Sequence, residues 1–243
     1  MIRNQYSIFA IVIISLCLSS CRTATFEYPP QQSQPFKSAG DPLDITIAVV
    51  PFEDTRETEN REFTFDMQYL PLVPFGFTRL ERPELSNRFT TISKFDSEPL
   101  DQFGRAAAYA LEQAGLATKV YYAADGNTDG ADFILQGKLR RIQYTARSIT
   151  YGVSGIGKLF WLFGLPAGTA QNDVKFILDL VDPNGKIQWS YTHRAVQKQW
   201  LGLYYNYGKD MALFPSLTEL GMNEGFKNLE RAFPQVLTTQ EDF

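Results

Sequence analysis

Hydrophobic and polar positions run along this chain in two rhythms, one of period two and one near 3.6. Ile45-Thr-Ile-Ala-Val-Val-Pro-Phe52 predicts a buried strand that Pro51 ends, because proline cannot donate to a sheet ladder. Phe103, Ala107, Ala110, Leu111 and Ala114 repeat at helical spacing. They predict a helix over Gln102–Ala114, capped by Asp101 and closed by Gly115. Alternation then returns in a short strand, Thr118–Tyr122, and a long one, Asp132–Arg147, whose Phe133, Leu135, Leu139 and Tyr144 sample the core. Val174, Phe176, Leu178 and Leu180 share one face of a further strand. Asp182-Pro-Asn-Gly185 is a turn signal, and Lys186–Arg194 returns as the hairpin partner with Ile187, Trp189, Tyr191 and His193 on one face. Met222, Phe226, Leu229 and Phe233 predict a final helix from Pro215 to Phe233. The order implies an α/β (α+β) fold: a mixed β-sheet with helices packed on one face, plus a long β-hairpin.

Two stretches do not follow either rhythm. Residues 53–99 are long and mixed, with Phe63, Phe65, Tyr69, Leu70, Phe75 and Phe77 clustered among prolines. Such a length is too great for a structureless loop, so short strands or a lid are expected there. Residues 148–170 form a second insert, within which Leu159 to Ala167 contains no polar side chain. This run is either core folded over the sheet or an apolar docking surface for a partner or a bilayer, with Phe160, Trp161 and Phe163 as its contact residues.

The first twenty residues are an address rather than structure. Arg3 and the amino terminus give a positive start, and Ile8–Leu18 is an apolar run too short to span a bilayer, which takes about 20 residues. Leu18-Ser-Ser-Cys21 follows and resembles the bacterial lipobox. That resemblance implies cleavage before Cys21, a diacylglyceryl thioether on its sulfur and an acylated amino group, since two or more chains hold a protein firmly on a membrane. Lipoproteins of Gram-negative bacteria with aspartate after the cysteine stay in the inner membrane. Arg22 stands there instead, which points to the periplasmic face of the outer membrane. The proline-containing segment 21–44 reads as the lipidated terminus and a flexible linker, leaving residues 45–243 as a single periplasmic domain.

Composition narrows the chemistry. With 44% hydrophobic and 14% aromatic residues among 243, disorder throughout is excluded. Twenty-three basic against 27 acidic residues, a formal charge of −4, argue against nucleic acid as a partner. The two cysteines are Cys17, removed with the leader, and Cys21, so the mature chain has no free thiol and no internal disulfide. Gly152-Val-Ser-Gly-Ile-Gly-Lys158 has phosphate-loop spacing, yet Leu159 replaces the hydroxyl residue that binds Mg²⁺. Asp125-Gly-Asn-Thr-Asp-Gly130 resembles half of a calcium loop, but Gln136 stands where the bidentate glutamate belongs, and a polar turn explains the same residues. His193 has no neighbouring nucleophile motif and reads as a structural imidazole. No catalytic residue, metal site or cofactor is assigned.

Three further stretches carry a resemblance: Ile47-Ala-Val-Val-Pro-Phe-Glu-Asp54, Gly130-Ala-Asp-Phe-Ile-Leu-Gln-Gly-Lys-Leu-Arg140, and Phe176-Ile-Leu-Asp-Leu-Val-Asp182 before Gly185-Lys-Ile-Gln-Trp189. They resemble periplasmic α/β lipoproteins of the kind represented by the TolB amino-terminal domain, curli-secretion lipoproteins, penicillin-binding-protein activators and ABC-transport auxiliary lipoproteins. The resemblance implies a non-enzymatic accessory that binds other envelope proteins in assembly or transport. The alternative is a carrier for lipid or another apolar ligand, with 63–77 and 156–165 as its walls.

Overall fold

The computed structural model describes residues 24–56, 61–65, 70, 72–86 and 95–241. In chain order the strands are β1 (Ala24–Thr25), β2 (Leu43–Val49), β3 (Glu53–Asp54), β4 (Glu62–Phe65), β5 (Phe75–Leu80) and β6 (Phe95–Asp96). Helix α1 (Pro99–Ala114) leads to β7 (Ala117–Tyr122) and β8 (Phe133–Ile149). A 3₁₀ turn (Ser154–Lys158) and the one-turn α2 (Leu159–Leu162) precede β9 (Gly168–Val181), β10 (Ile187–Leu201) and α3 (Leu213–Glu241).

The main sheet has the order β10-β9-β8-β2-β7. Strand β2 is parallel to β7 and β8, whereas β8, β9 and β10 are antiparallel. Strand β8 is the spine. Its first half pairs with β2 and β3, and its second half pairs with β5, so the insert extends the sheet where β2 stops. The mixed sheet with both long helices on one face is the architecture the sequence pattern implies.

The core lies between that face and the helices. Phe103 of α1 meets Phe52 at 5.8 Å and Phe176 of β9 at 5.9 Å between ring centroids. From α3, Met222, Phe226, Leu229 and Phe233 are all buried, and burying each such side chain stabilises by about 1.5–3 kcal/mol. Gly115 closes α1 at φ +66°, a conformation glycine takes without steric cost. Position 137 is glycine because a Cβ there would fall inside the ring of Phe52.

Four expectations need correction. Asp101 does not cap α1; Pro99 occupies its first turn after Glu98, and Asp101 lies inside, bonded by Arg105 Nε at 2.6 Å and Tyr122 Oη at 2.7 Å. Ile187 does not share the face of Trp189, Tyr191 and His193: the register shifts between Ile187 and Trp189, which leaves Ile187 exposed. The final helix begins at Leu213 rather than Pro215 and runs on to Glu241. Finally, the segment expected as a free linker is a strap on α3. Ser33 Oγ donates to Glu219, the Phe36 amide to Asn223 Oδ1 at 2.9 Å, and Ser38 Oγ to Glu230 at 2.5 Å. Phe26 is buried and stacks on Phe103 at 5.4 Å. Prolines favour an extended course, and an extended chain can place its groups along a helix as readily as across solvent.

Candidate functional site

Strands β8 and β10 finish, and β9 begins, at one shared end of the sheet, and three segments meet there. The base is closed by backbone bonds: the Thr150 amide donates to Pro74 O at 2.8 Å, the Leu72 amide to Gly152 O at 3.0 Å and the Ala167 amide to Leu201 O at 2.7 Å. Residue 157 is glycine because a Cβ there would collide with the Thr150 carbonyl. Trp161 Nε1 donates to Ile149 O at 2.9 Å, and Tyr151 Oη to Pro166 O at 2.6 Å. Tyr151 also meets the Phe160 ring edge-on at 5.5 Å. From beyond β10, Tyr204 Oη donates to Leu162 O at 2.8 Å.

This internal bonding fixes the backbone and turns the apolar side chains outward. Phe163 is 81% exposed, Ile156 70% and Leu72 89%; Leu159, Phe160, Leu162 and Leu165 are exposed too. Of the two readings left open for the 148–170 insert, the structure therefore gives the exposed surface. Phe160 and Phe163 stand on it. Trp161 is half-buried, with its polar edge turned inward, so it braces the tip as well as contributing to it. Lys158 Nζ lies 5.8 Å from the Trp161 ring centroid, and Lys198 Nζ the same distance from that of Trp200. Cys21 lies outside the described residues.

The opposite face of the sheet, away from the helices, is charged. A β-bulge at Arg140 shifts the register between Leu139 and Arg141, so both arginines project between the buried Leu139 and Ile142. Lys138 pairs with Asp179 at 2.7 Å and Arg194 with Asp173 at 2.9 Å. Arg56, with its side chain only 5% exposed, pairs with Asp54 at 2.7 Å and Glu84 at 2.6 Å, and its bonds hold the Asp54 carboxyl below the usual carboxylate range. A cavity of about 250 Å³ lies there, lined by Thr55, Arg56, Glu81, Arg140, Arg141, Gln143 and Lys175. Its donors suit an oxyanion rather than an apolar ligand. Nothing in the sequence rhythm signals it, because a bulge breaks the alternation that would reveal which arginine faces out.

The remaining candidates have local explanations. In the loop between β7 and β8, the Asn127 amide bonds Asp125 Oδ1 at 3.1 Å and the Asp129 amide bonds Asn127 Oδ1 at 2.9 Å, successive side-chain turns. His193 is buried between Phe176 and Tyr191, and burial lowers its pKa, outweighing Glu224 at 3.4 Å.

No protein-family model matches the chain, and no curated protein matches it. Among solved structures it is similar to a Xanthomonas campestris protein of family DUF330, at 13% identity and TM-score 0.47, over 90% of this chain and 98% of that one. It is also similar to a PelC dodecamer subunit from Paraburkholderia phytofirmans, at 16% identity and TM-score 0.37, over 82% and 94%. An uncharacterised protein gives 10% identity and TM-score 0.33, over 87% and 99%.

Proposed function

We propose that the chain is a lipid-anchored, non-catalytic accessory of a bacterial envelope, held at the periplasmic face of the outer membrane through Cys21. Its contact surface is the apolar tip around Phe160 and Phe163. The exposed tip carries this reading: large side chains held outward by a bonded backbone mark an interaction site, because leaving them in water is unfavourable. Leu18-Ser-Ser-Cys21 after a charged start and a short apolar run supports the anchor, and Arg22 supports outer-membrane sorting.

Two measurements test it. Cys21→Ser is expected to accumulate uncleaved precursor that takes up no labelled palmitate; persistent labelling would refute the anchor. A photo-crosslinker at Phe163 is expected to capture an envelope component, lipid or protein, in intact cells. Wild-type crosslinks absent at Phe163 but abundant at the Asp125–Gly130 loop would reject the tip as the contact surface. Lipid retained by the purified protein in native mass spectrometry would instead support a carrier.

A further inference from the structure

The tip shares one end of the molecule with the route of the N-terminal chain. Helix α3 runs alongside β9 in the same direction: Gly221 packs on Phe176, Gly225 on Leu178, and Asn228 takes the indole N–H of Trp189, the partner of Leu180. Phe214 therefore lies about 10 Å closer to the tip than Gly221, at 1.5 Å per helical residue. Strand β1 pairs with β6, where Ala24 stands opposite Phe95, and the Phe95 ring is 5.5 Å from that of Phe214. Traced back from Phe26, which stacks on Phe103 at the level of Phe176, the described chain thus runs toward the tip. Only Arg22 and Thr23 separate Ala24 from Cys21, a reach of about 10 Å over three Cα-to-Cα steps. With residues 26–38 strapped to the body, a lipid on Cys21 has no long linker to stand off on.

Among the described residues that build the tip, the charge has one sign. No Asp or Glu occurs between Asp66 and Glu81, between Asp132 and Asp173, or between Asp182 and Asp210, the three stretches that build this end. Lys158, Lys198, Lys209 and Arg147 lie in them. In a chain of net charge −4 this is a local reversal. Aromatic residues with a polar edge, Trp200, Tyr204 and Tyr207, ring the apolar centre and are exposed. Trp and Tyr favour the boundary between headgroups and acyl chains, and lysines there meet anionic lipid.

We propose that the tip docks on an anionic bilayer surface, the same one that holds Cys21, with Phe163, Leu162 and Ile156 among the acyl chains and Lys158 and Lys198 at the headgroups. The inference rests on the lipoprotein reading and adds a second membrane contact to it. Two attachments at one end would set the long hairpin upright on the membrane.

The test uses the mature lipidated protein in vesicles of phosphatidylethanolamine and phosphatidylglycerol. Because the mature chain has no thiol but the acylated one, a nitroxide can be placed through Leu162→Cys, or through Asn127→Cys at the far end of β8. The Leu162 label is expected to be more accessible to oxygen than to a water-soluble nickel chelate, with the order inverted at Asn127. Lys158→Glu with Lys198→Glu, or vesicles lacking phosphatidylglycerol, should move the Leu162 label toward water. Brominated lipid should also quench part of the tryptophan emission of the unlabelled protein, the share of Trp161 and Trp200 at the tip and not that of the buried Trp189, a readout that needs no substitution. Protein that floats with vesicles while its Leu162 label stays in water and its tryptophan emission stays unquenched overturns the docking and leaves the anchor standing. A Leu162 label shielded from both reagents only after an envelope protein extract is added makes the occupant a protein, and also overturns it. Protein that does not float overturns the anchor and, with it, the proposal.

Discussion

The indole N–H of Trp161 donates to the carbonyl of Ile149 at 2.9 Å, tying the start of the tip to its middle. Two residues on, Phe163 is exposed and makes no such bond. The two aromatic residues are therefore separable by experiment. Trp161→Phe should destabilise the protein by about 1 kcal/mol, the cost of a lost hydrogen bond. Phe163→Ala should change stability by less than about 0.5 kcal/mol, as for most exposed sites. Urea unfolding of both variants reads this directly, and equal losses would show that Phe163 is a packing residue.

Asp210 offers a pH prediction. It is buried, accepts a bond from Tyr144 Oη at 3.1 Å, and burial pushes its carboxyl from 3.8 up to about 6. Between those values the native state holds a proton that the unfolded chain has released. Stability therefore falls as pH rises through this window, by about 3 kcal/mol in full. Asp210→Asn cannot ionise and should abolish this fall, making the variant relatively more stable above pH 6. His193 acts in the opposite sense: its lowered pKa means that the unfolded imidazole takes up a proton first as pH falls past 6.5, so acid costs stability. That slope should survive in Asp210→Asn. Denaturation midpoints measured from pH 4 to 8 decide the matter; an unchanged profile would remove Asp210 from the account.

Gly137 and Phe52 form a fitted pair. Gly137→Ala would drive a methyl into the Phe52 ring, an overpacking cost of about 1–3 kcal/mol. Combining it with Phe52→Leu should recover part of that loss. Thermal melts showing purely additive penalties would mean that the ring is not what excludes the side chain.

The strap depends on Asn223, whose Oδ1 accepts the Phe36 amide and whose Nδ2 donates to Gln34 O, both at 2.9 Å. Asn223→Ala should cost roughly 1–2 kcal/mol and open the 30–40 segment to proteases. Limited proteolysis with mass mapping would show cleavage there before any in β8–β10. Unaltered resistance would mean that Ser33, Ser38 and Phe26 hold the strap without it.

Much of this fold could be read from the sequence because local rules coincide with tertiary ones. Val174, Phe176, Leu178 and Leu180 alternate, and all four are buried against the helices. The Asp182–Gly185 turn sits where β9 meets β10, its Asp182 carboxylate accepting the Asn184 and Lys186 amides at 2.9 Å. Strand β8 shows where reading stops. Leu139 and Tyr144 are both buried although strict alternation would put them on opposite faces; the bulge at Arg140 resets the parity, and no local signal announces it. For the same reason the cavity between Arg56, Arg141 and Lys175 could not be assembled from spacing.

At the tip the division is sharper. The sequence alone determined that 159–167 is apolar, that no acid occurs from 133 to 172, and that a lipobox-like cysteine precedes the body. Composition and short spacings suffice for such properties, since they belong to single segments. Whether that run is core or surface depended on how it is tied to Ile149 and Leu201 at the ends of β8 and β10. Whether residues 26–38 swing free depended on partners almost two hundred positions away, Glu219, Asn223 and Glu230. Burial and tethering are relations between distant segments, and only the packed structure brings those segments together.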